Sequence, residues 1–116
     1  SCVGLNMYMA FTSLEFTAGA VSAYSSQVGL ITPEAAPGGP TGVYRVQCFP
    51  IFLTQPMILA QILSLTDAAQ NRFVQIISAD ESQLQYIRFG IVNGSGTLIT
   101  APTDLVVFLA AIGQQA

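Results

Sequence analysis

Met57-Ile58-Leu59-Ala60-Gln61-Ile62-Leu63-Ser64-Leu65 decides the fold. The stretch follows Pro56 and is apolar at nearly every position, with Met57, Leu59, Leu63 and Leu65 alternating with Ile58, Ala60 and Ile62. Nine residues between turn signals is strand length rather than helix length. Such a strand is covered on both sides, since successive side chains of a strand point to opposite faces. A second segment of the same kind, 105–112, reads Leu-Val-Val-Phe-Leu-Ala-Ala-Ile. These two segments are expected at the centre of a sandwich or at subunit contacts, and Met57, Leu59, Leu63, Leu65, Val106, Phe108 and Ile112 are the candidate interface residues.

Outward from these two, the chain continues as short β-branched and aromatic runs broken by Gly, Pro, Asn and Asp. Residues 42–49 place Tyr44, Val46 and Cys48 on one face and Val43, Arg45 and Gln47 on the other. Segments 73–79 and 84–92 flank the polar turn Asp80-Glu81-Ser82-Gln83 and read as a hairpin. Asn93-Gly94-Ser95-Gly96 is the strongest turn signal, because its residues tolerate positive φ. A short strand is expected at 97–100, stopped by Pro102. Near the N-terminus Leu5, Met7, Met9 and Phe11 alternate, which suggests a strand, and 21–31 reads as a weaker strand pair. Residues 33–42, Pro-Glu-Ala-Ala-Pro-Gly-Gly-Pro-Thr-Gly, read as a surface loop, with an arm to a neighbouring subunit as the alternative. The expectation is an all-β chain, a single jelly-roll-like β-sandwich of about seven to nine short strands over 1–116, with helix surviving only as one turn.

The chain has 116 residues, enough for one core. Its composition exceeds what a core needs: 52% of residues are hydrophobic and 8% charged, where ordinary soluble domains carry about 25% charged residues. Mean hydropathy is +0.58. A bilayer is a poor destination for the excess. The longest uncharged stretch, 46–66, contains Pro50, Pro56, Gln47, Gln55 and Gln61, and 105–112 is too short for a helical span. Other protein subunits are the expected destination.

Catalysis by proton transfer or nucleophilic attack draws mostly on His, Lys, Cys and paired carboxylates. There is no His and no Lys, so Cys2 and Cys48 lack the usual base and no serine has a histidine partner. Among Glu15, Glu34, Asp67, Asp80, Glu81 and Asp104 only Asp80 and Glu81 adjoin, in a turn. No spacing resembles a metal loop, and Gly94-Ser95-Gly96 lacks the lysine and following helix of a phosphate cradle. No enzyme activity, cofactor or metal is expected. Net charge is −3, with three arginines as the whole positive supply, which argues against nucleic acid. Two cysteines are too few for a disulfide framework, and free thiols are expected. No basic region followed by an apolar one marks a secretory signal, so synthesis in a cytoplasm is expected. Tyr8, Tyr24, Tyr44 and Tyr86 leave a sugar-binding platform open.

The segments Gly42-Val43-Tyr44-Arg45-Val46-Gln47-Cys48-Phe49, Phe52-Leu53-Thr54-Gln55-Pro56, Phe89-Gly90-Ile91-Val92-Asn93-Gly94-Ser95-Gly96 and Val107-Phe108-Leu109-Ala110-Ala111-Ile112-Gly113 resemble a virion surface module of phage head-decoration proteins, head fibres and tail-fibre tips. Upstream, Phe16-Thr17-Ala18-Gly19-Ala20-Val21-Ser22-Ala23 fits how such modules begin. The closing Ala-Ile-Gly segment also resembles the H-type lectin pattern. The resemblance implies a β-sandwich, usually trimeric, on a capsid or fibre: a decoration or cement subunit partnered by copies of itself and by the major capsid protein in a virion assembled in the host cytoplasm. The alternative it implies is a glycan- or receptor-binding fibre tip.

Overall fold

The computed structural model describes residues 7–28, 30–35, 41–49, 52–79 and 86–114. Most of them are strand. β1 (Met7–Thr17), β2 (Ala20–Val28), β3 (Leu30–Ala35), β4 (Val43–Phe49), β5 (Met57–Ser64), β6 (Phe73–Ala79), β7 (Tyr86–Val92) and β8 (Leu105–Gln114) form two antiparallel four-stranded sheets. One sheet has the order β2-β1-β8-β5 and the other β3-β4-β7-β6. The described helix is a single 3-10 turn, Asp67–Ala69, between β5 and β6.

One apolar core joins the sheets. Inward side chains of β1 (Ala10, Leu14, Phe16) and β8 (Leu105, Val107, Leu109, Ala111) meet Tyr44 and Val46 of β4 and Ile87, Phe89 and Ile91 of β7. Three rings lock the middle. Phe16 packs edge-on to Tyr44 with centroids 4.8 Å apart, and to Phe89 at 6.5 Å. Such edge-to-face pairs add about 0.5–1.5 kcal/mol each beyond the area they bury. The Tyr44 hydroxyl donates to the Gly19 carbonyl at 2.7 Å, which ties β4 to the β1–β2 turn in the other sheet. Burial raises the Tyr44 pKa above its ordinary value, because the phenolate would lose its hydration.

The β1–β2 turn is a two-residue hairpin in which both central residues, Ala18 (φ 50) and Gly19 (φ 83), are left-handed. That is the hairpin geometry whose twist matches the flanking strands. Gly19 suits it; Ala18 does not, since a Cβ in this region costs roughly 1–2 kcal/mol. Ala18→Gly is therefore expected to stabilise the fold by about 1 kcal/mol, after the extra flexibility of the unfolded glycine is deducted. A rise in the urea midpoint checks this, and a fall contradicts the turn geometry.

Two expected boundaries move. The proposed loop 33–42 gives up Pro33, Glu34 and Ala35 to β3, which pairs with β4 through Val46, Arg45 and Tyr44. β3 is an edge of its sheet, where a proline is tolerated because its missing N–H can face away from the ladder. Residues 36–40 lie outside the described part. The expected strand at 97–100 shrinks to one bridge, Val92 with Leu98, made by Asn93 N–H to the Thr97 carbonyl at 3.0 Å and Ile99 N–H to the Ile91 carbonyl at 2.8 Å. The chain is then drawn to the other sheet: Pro102 O accepts from Gly19 N at 2.8 Å, and Asp104 N donates to Phe16 O at 3.0 Å.

Two glycines make this crossing possible. A Cβ on Gly90 would collide with the Leu98 side chain, and one on Gly42 (φ 90) would sit 2.8 Å from the Ile99 carbonyl oxygen. The expected turn at 93–96 is present. The Asn93 side-chain oxygen accepts from the backbone N–H of Ser95 at 2.9 Å and of Thr97 at 3.0 Å, with Gly96 at φ 80.

Candidate functional site

The outer faces of the two sheets differ in chemistry. On the sheet built from β3, β4, β7 and β6, Arg45 and Arg88 stand opposite each other in register. The Arg45 guanidinium carbon lies 4.4 Å over the Tyr86 ring. Exposed Gln75 adds a further polar group, and the exposed apolar residues Phe73 and Ile77 lie on β6, the sheet edge.

The outer face of the other sheet is largely apolar across three strands, with Ser13, Glu15 and Gln61 as its polar members. The ladders align Met9 with Ile112 and Met57, Phe11 with Ala110 and Leu59, Ser13 with Phe108 and Gln61, and Glu15 with Val106 and Leu63. Directly paired residues share a face, so these rows form one surface, continued by Met7 at one end and Leu65 at the other. Met7, Met57 and Leu59 are 60%, 58% and 53% exposed. Met9, Leu63, Leu65 and Phe108 are exposed to a similar degree, and Phe11, Val106 and Ile112 are half-buried. The exposed side-chain area is on the order of 700 Å², above the roughly 300–600 Å² of the largest apolar patch on a typical monomer. Near its middle a depression of about 280 Å³ lies over Ala110, walled by Phe11, Leu59, Gln61 and Phe108.

All seven candidate interface residues, Met57, Leu59, Leu63, Leu65, Val106, Phe108 and Ile112, lie on this one surface. The two doubly apolar segments thus split their faces. Inward Leu105, Val107, Leu109 and Ala111 of β8 belong to the core, and Ile58 and Ile62 of β5 pack against it. The odd-numbered positions of β5 and the even-numbered positions of β8 face outward. Sequence reasoning missed Met7, Met9, Phe11 and Ala110. The alternation in β1 was visible, but Tyr8 and Ala10 blurred its contrast, and only pairing with β8 assigns its face.

Among the described residues the alternative sites are not assembled. Tyr8 packs on Phe52 with centroids 5.9 Å apart, Tyr44 is core, Tyr86 lies under Arg45 on the opposite sheet, and Tyr24 belongs to β2. The described tyrosine rings therefore do not share one platform. Asp80, Glu81 and Cys2 lie outside the described residues, and Cys48 is in β4. Among the described residues no three metal-ligating side chains gather, and no helix is long and apolar enough to cross a membrane.

No protein-family model, curated protein or solved structure matches the chain.

Proposed function

We propose that this chain is a non-enzymatic structural subunit of a virion, a decoration or cement protein that stabilises a particle by packing the outer face of β1, β8 and β5 against another protein chain. The observation that carries this reading is the three-strand apolar surface, set against an opposite sheet that carries Arg45, Arg88 and Gln75. A patch of this size on a stable core marks a contact surface. At about 25 cal/mol per Å², burying about 700 Å² is worth roughly 17 kcal/mol gross, most of it offset by association costs. The lack of His and Lys supports a binding role over a chemical one. The resemblance to virion surface modules supplies the setting.

The test is incorporation. Quantitative mass spectrometry of purified particles is expected to find the chain in fixed ratio to the shell protein. A folded Leu59→Gln/Leu63→Gln variant should stay in the soluble fraction. Absence of the native chain from particles overturns the virion setting, and full incorporation of the variant overturns the role of this face.

A further inference from the structure

Along β8 the outward side chains run Val106, Phe108, Ala110, Ile112. The largest and the smallest of them are neighbours, two residues and about 7 Å apart. Phe108 stands between the smaller or more polar Ser13 and Gln61, and Ala110 floors the depression between Phe11 and Leu59. A knob and a hole side by side on one central strand make a self-complementary surface, which is what a two-fold contact requires.

We infer that the partner covering this face is a second copy of the chain, docked about a two-fold axis that crosses the strands at Leu109 and seats each Phe108 in the other copy's depression over Ala110. This rests on the reading of the face as a protein contact and names its occupant. An axis across the strands lays the two β8 strands antiparallel, and packed sheets hold their strands within about 30° of each other. It carries position 108 onto 110 and 106 onto 112. Val106 then meets Ile112 on either side of the knobs, and along β5 Met57 meets Leu63. Along β1 the same axis brings Glu15 opposite the other copy's Met9 and Ser13 opposite its Phe11, on the β1 side of the contact, while Thr17 and Gln114 fall at the strand ends, where an interface rim tolerates polar groups. The area agrees: about 700 Å² of apolar side chain per copy is close to the roughly 800 Å² each partner contributes to a standard-size interface.

Sedimentation equilibrium of the purified full chain tests this. The native chain is expected to be a dimer. Phe108→Ala empties both holes and Ala110→Phe fills them, so each should weaken dimerisation about tenfold or more while the thermal melt of the dissociated chain shows a folded protein. The double variant F108A/A110F exchanges knob and hole under the same symmetry and should recover most of the lost affinity, the non-additivity that marks direct contact. A monomer at every concentration, a trimer, a dimer indifferent to both single changes, or a double variant as weak as the singles overturns the inference. A monomer still incorporated into particles removes the dimer and leaves the proposed function standing; a dimer absent from particles does the reverse.

Discussion

Phe16→Ala is expected to cost about 3–5 kcal/mol of folding stability, the range for removing a buried ring from a packed core. Phe16 has no exposed surface, and it touches rings from both central strands of the opposite sheet, Tyr44 of β4 and Phe89 of β7. Its loss leaves a cavity between the sheets that neither can close alone, because each backbone is held by its own ladder. It also weakens the seat of Tyr44, whose hydroxyl ties the sheets through the Gly19 carbonyl. Set against a total stability of about 5–15 kcal/mol for a domain, this is a large fraction. Urea unfolding checks it, and a loss below about 1 kcal/mol would mean that the rings do not carry the core.

The opposite behaviour is expected on the outer face. Leu59→Lys/Leu63→Lys should leave the unfolding midpoint of the isolated chain within about 0.5 kcal/mol of native, since substitutions at exposed positions outside the core seldom cost more. Association should be abolished: two ammonium groups would be taken out of water with no partner charge on the facing β5 or β8 positions. Light scattering reads the mass and chemical denaturation reads the fold. If the double substitution unfolds the chain, β5 is core on both faces and its exposed side has been misassigned.

Much of this was legible in the sequence, in proportion to how local its cause is. The strands at 57–65 and 105–112 are read from strand-length apolar runs that begin just after Pro56 and Pro102, and both are present as β5 and β8. Asn93 announces its turn because its side chain and backbone make the bonds themselves. What could not be read depends on partners distant in the chain. β1 pairs with β8, nearly a hundred residues away, and this pairing alone decides that Met7, Met9 and Phe11 look outward beside Phe108. Segment 97–100 has the composition of a strand but makes a single bridge, because Pro102 and Asp104 bond to the β1–β2 hairpin region. Pro33 suggested a loop, and the edge position of β3, invisible before the sheet is assembled, admits it to a strand.

The same split explains the candidate site. Excess hydrophobicity pointed to two strands that are apolar on both faces, and alternation along each strand separates a core face from an exposed one. Which set of alternating residues faces the core follows from the packing of this sheet on β4 and β7 of the other, which no local pattern shows.

The central claim is that the outer face of β1, β8 and β5 is covered by protein in the working state. The chain has three methionines, Met7, Met9 and Met57, and all three lie on that face. Exposed thioethers are readily converted to sulfoxides by peroxide, whereas covered ones are shielded. Brief peroxide treatment of the native assembly, followed by peptide mass spectrometry, is predicted to leave Met9 and Met57 at least about tenfold less oxidised than in the urea-unfolded chain. Oxidation of both as fast in the native assembly as in the unfolded chain would contradict the account.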